Sequence, residues 1–375
     1  MEEEQRQRRL QEETRSRAPT GANPCASVSC TPVQVFFGSD REQQAHADRI
    51  DFGAVRARRL QLGSAVVTVP RGVQRKTGEI LRPTWWERNV RKVPEVGLPD
   101  RHFTIPTGGV TVYETEQAFF DAVHSHVREA AFSKDHAFVF VHGYATSFEH
   151  ALYRTAQLAY DLEDDGRAFG TALLYSWPSG AGVADYKHDF DSARLSVDHL
   201  TAFLRIVAAR TDANHIHVIA HSMGNWPLLA ALDRLELPPS DLSKLAQAIL
   251  AASDVDADEF EDLTRRLRQT ARGITLYASS NDGAMVASRK MHRGLPRAGD
   301  IHDGKPVLIA GIDTIDISAI STALLSLAHS EYAERRELLN DLALILREGV
   351  RPPPKRTPIL RTLRGDRARW WRFPN

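Results

Sequence analysis

The chain has 375 residues, 42% of them hydrophobic, and its 48 lysines and arginines balance 48 aspartates and glutamates. That length and apolar content suffice for one large globular domain or two ordinary ones. The zero net charge excludes a global field that would recruit nucleic acid or an anionic membrane, so partners must be read from local sites.

The first stretch, "MEEEQRQRRLQEETRSR", mixes acids and bases and lacks the apolar segment of a secretory signal. No later apolar run is long enough to span a bilayer. Residues 1–30 are therefore expected to be a disordered charged segment of a cytoplasmic protein. Cys25 and Cys30, in "NPCASVSC", have no second pair to complete a zinc site. Free thiols in a reducing compartment are the expectation, with a local disulfide as the alternative. Order begins at "VQVFFGSD", "SAVVTVPRG" reads as a short strand, and "GEILRPTWWERNVRKVPEVGLPD" reads as a polar connection. Its Trp85 and Trp86 either cover a core edge, the preferred reading, or line a groove. Residues 31–130 thus form an N-terminal elaboration, and 131–349 the core.

From Ala137 the pattern is regular. The apolar runs "AFVFVHG", "TALLYSWPS", "HIHVIAHS", "AQAILAASD", "GITLYASSND" and "PVLIAGIDTIDIS" alternate with helical stretches such as "SFEHALYRTAQLAYDLED" and "EFEDLTRRLRQTA". Strands buried on both faces read as continuous apolar runs, and strand–helix alternation implies a mostly parallel sheet with helices on both faces, an α/β architecture. Thr146, three residues before Glu149, matches a capping box, followed by the stripe Phe148, Leu152, Ala156 and Ala159. Residues 350–375 form a basic, Pro/Arg/Trp-rich segment expected to be a solvated, partly disordered tail. Its sharper reading is a weak contact with acidic lipid or RNA. With no companion motif, nucleic acid is not an expected partner.

One block carries chemistry. Ala220-His221-Ser222-Met223-Gly224 approximates G-x-S-x-G, with "HVIA" before it and "WPLLAALDRL" after it. Small residues on either side of the serine let strand and helix approach, which holds the hydroxyl in the open on a tight turn. Alanine in the first small position is a modest departure, and Pro227 falls in the first helical turn, where its missing N–H is tolerated. A serine needs a base to take its proton and a carboxylate to orient that base. Asp282, ending "ITLYASSND", and His329, in "LSLAHSEY", follow in the order this fold uses. Asp254, in "AASDVDADEF", is the alternative acid or a helix cap. His292 and His302 read as surface residues, and His221 as support for the turn. The oxyanion donors are expected to be the N–H groups of Met223 and of Tyr144, after the "FVFVHG" strand. His142 is expected to hold that loop.

These blocks resemble a bacterial α/β-hydrolase family long catalogued as a domain of unknown function, within the esterase/lipase superfamily. The resemblance rests on "VFVHGYATSFEHALYRTAQLAYDL", "LLYSWPSG", "VIAHSMGNWPLLAAL", "LAASDVDADEF", "TLYASSNDGAMVASRKMHRG", "PRAGD" and "IDTIDIS" followed by "AHSEY". It implies an α/β-hydrolase fold with a serine triad on Ser222, Asp282 and His329, and says little of substrate. Only one helix fits between the strands ending at Asp254 and Asp282, so no large cap is encoded there. Ser222 should then be accessible unless the N-terminal third or the "SWPSGAGVADYKHDFDSAR" loop folds over it. Trp177 and Tyr186 in that loop are candidate pocket residues, with ordinary packing as the other reading. The expectation is a serine hydrolase of small-molecule or lipid carboxylic esters, acting through an acyl-enzyme without cofactor or metal. Thioesterase or acyltransferase activity uses the same parts, and a silent hydrolase scaffold that binds a partner is the rival.

Overall fold

The computed structural model describes residues 23–45, 50–71, 75–89, 94, 97–129, 135–162, 169–180, 182, 185–280, 295–320, 332–365 and 368–374. In chain order the strands are β1 (Cys30–Ala45), β2 (Ile50–Pro70), β3 (Val110–Tyr113), β4 (His136–Val141), β5 (Thr171–Ser176), β6 (His215–His221), β7 (Leu245–Ala251), β8 (Gly273–Ala278), the short pair β9 (Ile301–His302) and β10 (Lys305–Pro306), β11 (Asp313–Asp316), β12 (Arg361–Arg364) and β13 (Arg369–Arg372). The main helices are α1 (Glu116–Glu129), α2 (Phe148–Asp161), α3 (Tyr186–Leu195), α4 (Val197–Arg210), α5 (Asn225–Arg234), α6 (Ala257–Thr270) and α7 (Tyr332–Glu348). Among the described residues, eleven strands make one sheet in the order β12-β13-β11-β8-β7-β6-β4-β5-β1-β2-β3. From β13 through β11, β8, β7, β6, β4 and β5 to β1 every pairing is parallel. This is the doubly wound α/β frame expected of an α/β hydrolase.

The continuous apolar runs have a direct cause, since alternate residues of each strand face opposite covers. Val139 and Val141 of β4 join Phe203 of α4 and Leu228 of α5 in one core. Phe138 and Phe140 join Phe148 and Leu152 of α2 and Leu342 of α7 in the other. Because β4 lies between β5 and β6, the chain leaves it toward one neighbour and later returns on its other side. Folds of this kind bind ligands at such a switch point, on the carboxyl edge of the sheet.

Four local expectations are corrected. The strand read as short, from Ser64, is part of the 21-residue β2, which pairs along β1 from Cys30↔Pro70 to Ala45↔Ile50. Cys25 and Cys30 are not free thiols but a disulfide, their Cα atoms 5.2 Å apart and within bridging range. The cap of α2 is Ser147, whose hydroxyl accepts the His150 N–H, while Thr146 Oγ1 turns back to the Tyr144 carbonyl. The segment after 350 is no solvated tail. Its β13 adds parallel to β11, its β12 folds back antiparallel, and Trp370, Trp371 and Phe373 are buried. Residues 1–22, and the side chains of Trp85 and Trp86, lie outside the described residues. No helix among the described residues is long and apolar enough to cross a membrane.

Candidate active site

Strand β6 ends at His221 and the chain enters a 3-10 turn, Ser222–Gly224, that runs directly into α5. Ser222 sits at φ 50°, a left-handed conformation that a side chain tolerates only when its surroundings impose it. What imposes it is the close approach of the β4 end. A Cβ on Gly224 would lie 2.2 Å from the His142 carbonyl oxygen, and one on Gly143 would lie 3.1 Å from the Ser222 Cβ. The Asn225 side chain locks the turn from below, donating to the carbonyls of Ser222 (2.9 Å) and Ala251 (3.2 Å). Ala145, after β4, and Ala252, after β7, also have positive φ, at 52° and 44°. Strain of this kind gathers where a site is being shaped.

The loop after β4 is held by a buried polar framework. His142 stacks on Trp177 with ring centroids 4.9 Å apart, and its carbonyl accepts the Trp177 indole N–H at 2.8 Å. Its Nδ1 lies 2.8 Å from the Gly143 carbonyl, which assigns the proton to Nδ1 and leaves Nε2 to face Arg41 and the Ser176 hydroxyl. Burial, and then the Arg41 guanidinium, hold this imidazole well below its ordinary range, so it is neutral at pH 7. The expectation that His142 holds the loop matches these contacts. Trp177, offered as a pocket residue, is wholly buried and supports the same loop.

Ser222 is 4% exposed, so the condition attached to its accessibility is the one realised. Helix α3, from the "SWPSGAGVADYKHDFDSAR" segment, folds over the turn. Its Tyr186 packs edge-on against Tyr144 (centroids 5.6 Å) and donates its hydroxyl to Asp254 Oδ2 at 2.9 Å. Asp254 follows β7, and its N–H donates to the Ser222 carbonyl at 3.3 Å. Its carboxylate also pairs with buried Arg297 at 2.8 Å. Met223, second in the 3-10 turn, is buried, and Tyr144 stands in the adjacent loop. Asp282, His292 and His329 lie outside the described residues, whereas His302 is exposed in β9, as expected.

A family model described as "Alpha/beta hydrolase of unknown function (DUF900)" matches residues 116–347, which run from α1 to the end of α7. The chain belongs to this α/β-hydrolase family. No curated protein matches it. In this α/β-hydrolase family member the residues that sequence reasoning passed over are Asn225, buried in the turn, and Arg41, Ser179 and Asp189, buried around the loop after β4. The one signal available was the placing of Arg41 directly after the apolar run "VQVFFGSD"; Asp189 in "DYKHDFDSAR" carries none.

A cluster that could hold a metal ion, Asp135, His136 and His215, lies at the opposite, amino edge of the sheet. Arg272 lies 2.9 Å from His215 Nδ1, so a guanidinium already occupies that lone pair. A cavity of about 550 Å³ lies between α6, the β9–β10 pair and the C-terminal hairpin, and Ser222 does not line it.

Proposed function

We propose that the protein is a serine hydrolase of carboxylic esters. Ser222 Oγ attacks the ester carbonyl carbon while His329 takes its proton. Asp282 orients His329, and the N–H groups of Met223 and Tyr144 receive the charge that develops on the carbonyl oxygen. Collapse of the tetrahedral species expels the alcohol, which takes the proton from His329 and leaves Ser222 acylated. Water, deprotonated by the same histidine, releases the acid and restores the serine.

The observation that supports this reading is the conformation of Ser222. A serine at φ 50° between a buried strand and a helix, with glycine on both sides of the contact, is the geometry that lifts a hydroxyl out of its turn. A strand that merely runs into a helix has no need of it. The burial of Ser222 favours one rival, a hydrolase scaffold that binds without turning over.

Labelling with a fluorescent fluorophosphonate separates the two. Wild type is expected to label and Ser222→Ala to be silent, with His329→Gln reduced as far as the serine. Asp282→Asn is expected to slow labelling strongly and Asp254→Asn only slightly; the reverse order would move the acid to Asp254. A folded wild type that never labels would overturn the hydrolase proposal in favour of the scaffold.

A further inference from the structure

Helix α3 carries an aspartate that the proposed mechanism does not use. Asp189 is wholly buried, yet its carboxylate accepts from two loops at once. Oδ2 takes the Ala145 N–H at 2.9 Å and the Ser179 hydroxyl at 2.6 Å. Oδ1 takes the Gly180 N–H at 2.6 Å, and His188 Nδ1 lies 3.2 Å away. The Ser179 oxygen in turn accepts the Thr146 N–H at 3.0 Å. Two consecutive peptides of the loop after β4 therefore end on one carboxylate, the first directly and the second through a hydroxyl.

The other side of the same loop is held by a cation. Arg41, 1% exposed, donates to the carbonyls of Thr146 (2.7 Å), Ser179 (2.9 Å) and Gly53 (3.0 Å) and to the Ser176 hydroxyl (2.9 Å). Burial pulls its pKa down to about 10 against the fields of Asp40, Asp189 and Asp51, so it stays charged at neutral pH. Buried ions of this kind are costly unless fully hydrogen-bonded, and each is bonded to the loops that flank Ser222.

We infer that Asp189, with Ser179 as its relay and Arg41 as its counterpart, is the positioning residue that sets the oxyanion loop against Ser222. The inference rests on the hydrolase reading above. The Ala145 peptide, at φ 52°, adopts a conformation that an alanine would not choose, and the Asp189 bond to its N–H is the contact that holds it there. The peptide just before it carries the Tyr144 N–H, and Gly143, one residue earlier, comes so near the turn that a Cβ there would lie 3.1 Å from the Ser222 Cβ. Fixing residues 145 and 146 from the carboxylate side and the 146 carbonyl from the guanidinium side fixes the direction of the Tyr144 N–H. Asp189 touches no reacting atom. It acts through the loop, and its effect belongs to the transition state, where oxyanion donors are felt, more than to the bound substrate.

The test is steady-state hydrolysis of p-nitrophenyl acetate and butyrate, with a trifluoromethyl ketone as a mimic of the tetrahedral state, on the full chain. Asp189→Asn leaves one acceptor oxygen and turns an amide toward donors. It is expected to lower kcat by roughly 100-fold or more, with KM within about threefold, as for loss of an oxyanion donor. The trifluoromethyl ketone should weaken by a similar factor. Ser179→Ala removes only the relay to Thr146, so it decides the matter if Asp189→Asn does not fold. Its expected loss is about tenfold in kcat with KM held. An active wild type beside a folded Asp189→Asn or Ser179→Ala of unchanged kcat, or with its loss wholly in KM, would overturn the positioning role and leave the hydrolase reading standing. A wild type that neither turns over nor labels overturns both.

Discussion

At the scale of single residues, Gly224 and Gly143 do more for Ser222 than the serine's immediate neighbours. The motif around Ser222 was legible because a strand, a serine between small residues and a helix leave a pattern in one stretch of chain. The groups that hold the loop beside the turn were not legible, since Arg41 and the pair Ser179 and Asp189 come from two distant segments, and charged residues such as Arg41 and Asp189 read as surface until their surroundings are known. Gly224→Ala tests the turn directly. Its Cβ would meet the carbonyl oxygens of His142 at 2.2 Å and Val141 at 2.8 Å, and backbone atoms cannot swing aside. The expected cost is about 1–3 kcal/mol of stability, read by urea unfolding. Fluorophosphonate labelling should fall with it; unchanged labelling would mean that the turn has room to relax.

Among the elements, the core strands were readable because their two faces are both covered, which leaves long apolar runs. The C-terminal hairpin was misread for the opposite reason. "RWWR" sets buried tryptophans between arginines, one of which, Arg372, pairs with Asp316 at 2.6 Å, and charge density masked the strand. The chain before the hairpin is tied down as well. Buried Arg356 pairs with Asp341 of α7 at 2.9 Å, and Tyr277 of β8 donates its hydroxyl to the same carboxylate. Removing residues 351–375 should therefore lower the urea midpoint sharply and expose β11 as an apolar edge. Trp371→Ala alone is expected to cost about 3–5 kcal/mol. A truncated chain with the wild-type midpoint would restore the solvated-tail reading. The cap of α2 was misplaced by one residue because Thr146 and Ser147 are both competent caps, and the loop's own bonds decide between them.

For the molecule as a whole, buried neutral histidines tie stability to pH. Burial, then the fields of His136, His215 and Arg272, bring the folded pKa of His217 down to about 3, and His142 is depressed in the same direction. The unfolded chain takes up these protons near the ordinary histidine value of about 6.5, so stability is full above it and declines as pH falls toward the folded values. His199, raised by the Asp40 carboxylate 3.6 Å from its Nδ1, works the other way: its contribution is full below the ordinary histidine value and is lost as pH rises through the raised folded pKa. Thermal unfolding is expected to shift steadily downward from pH 7 to pH 4, and His217→Gln should flatten that slope; an equal slope in the variant would deny His217 its share. The sheet also orders events in time. Hairpin β1–β2 closes between segments near in sequence, but β1 meets its other neighbour, β5, from Phe36↔Leu173 to Ser39↔Ser176, more than a hundred residues later. Until β5 is synthesised and docked, the inner edge of β1 is an open row of backbone donors and acceptors. A nascent chain must keep that edge from pairing with other chains, and its folding should be slow, concentration-sensitive and responsive to chaperones.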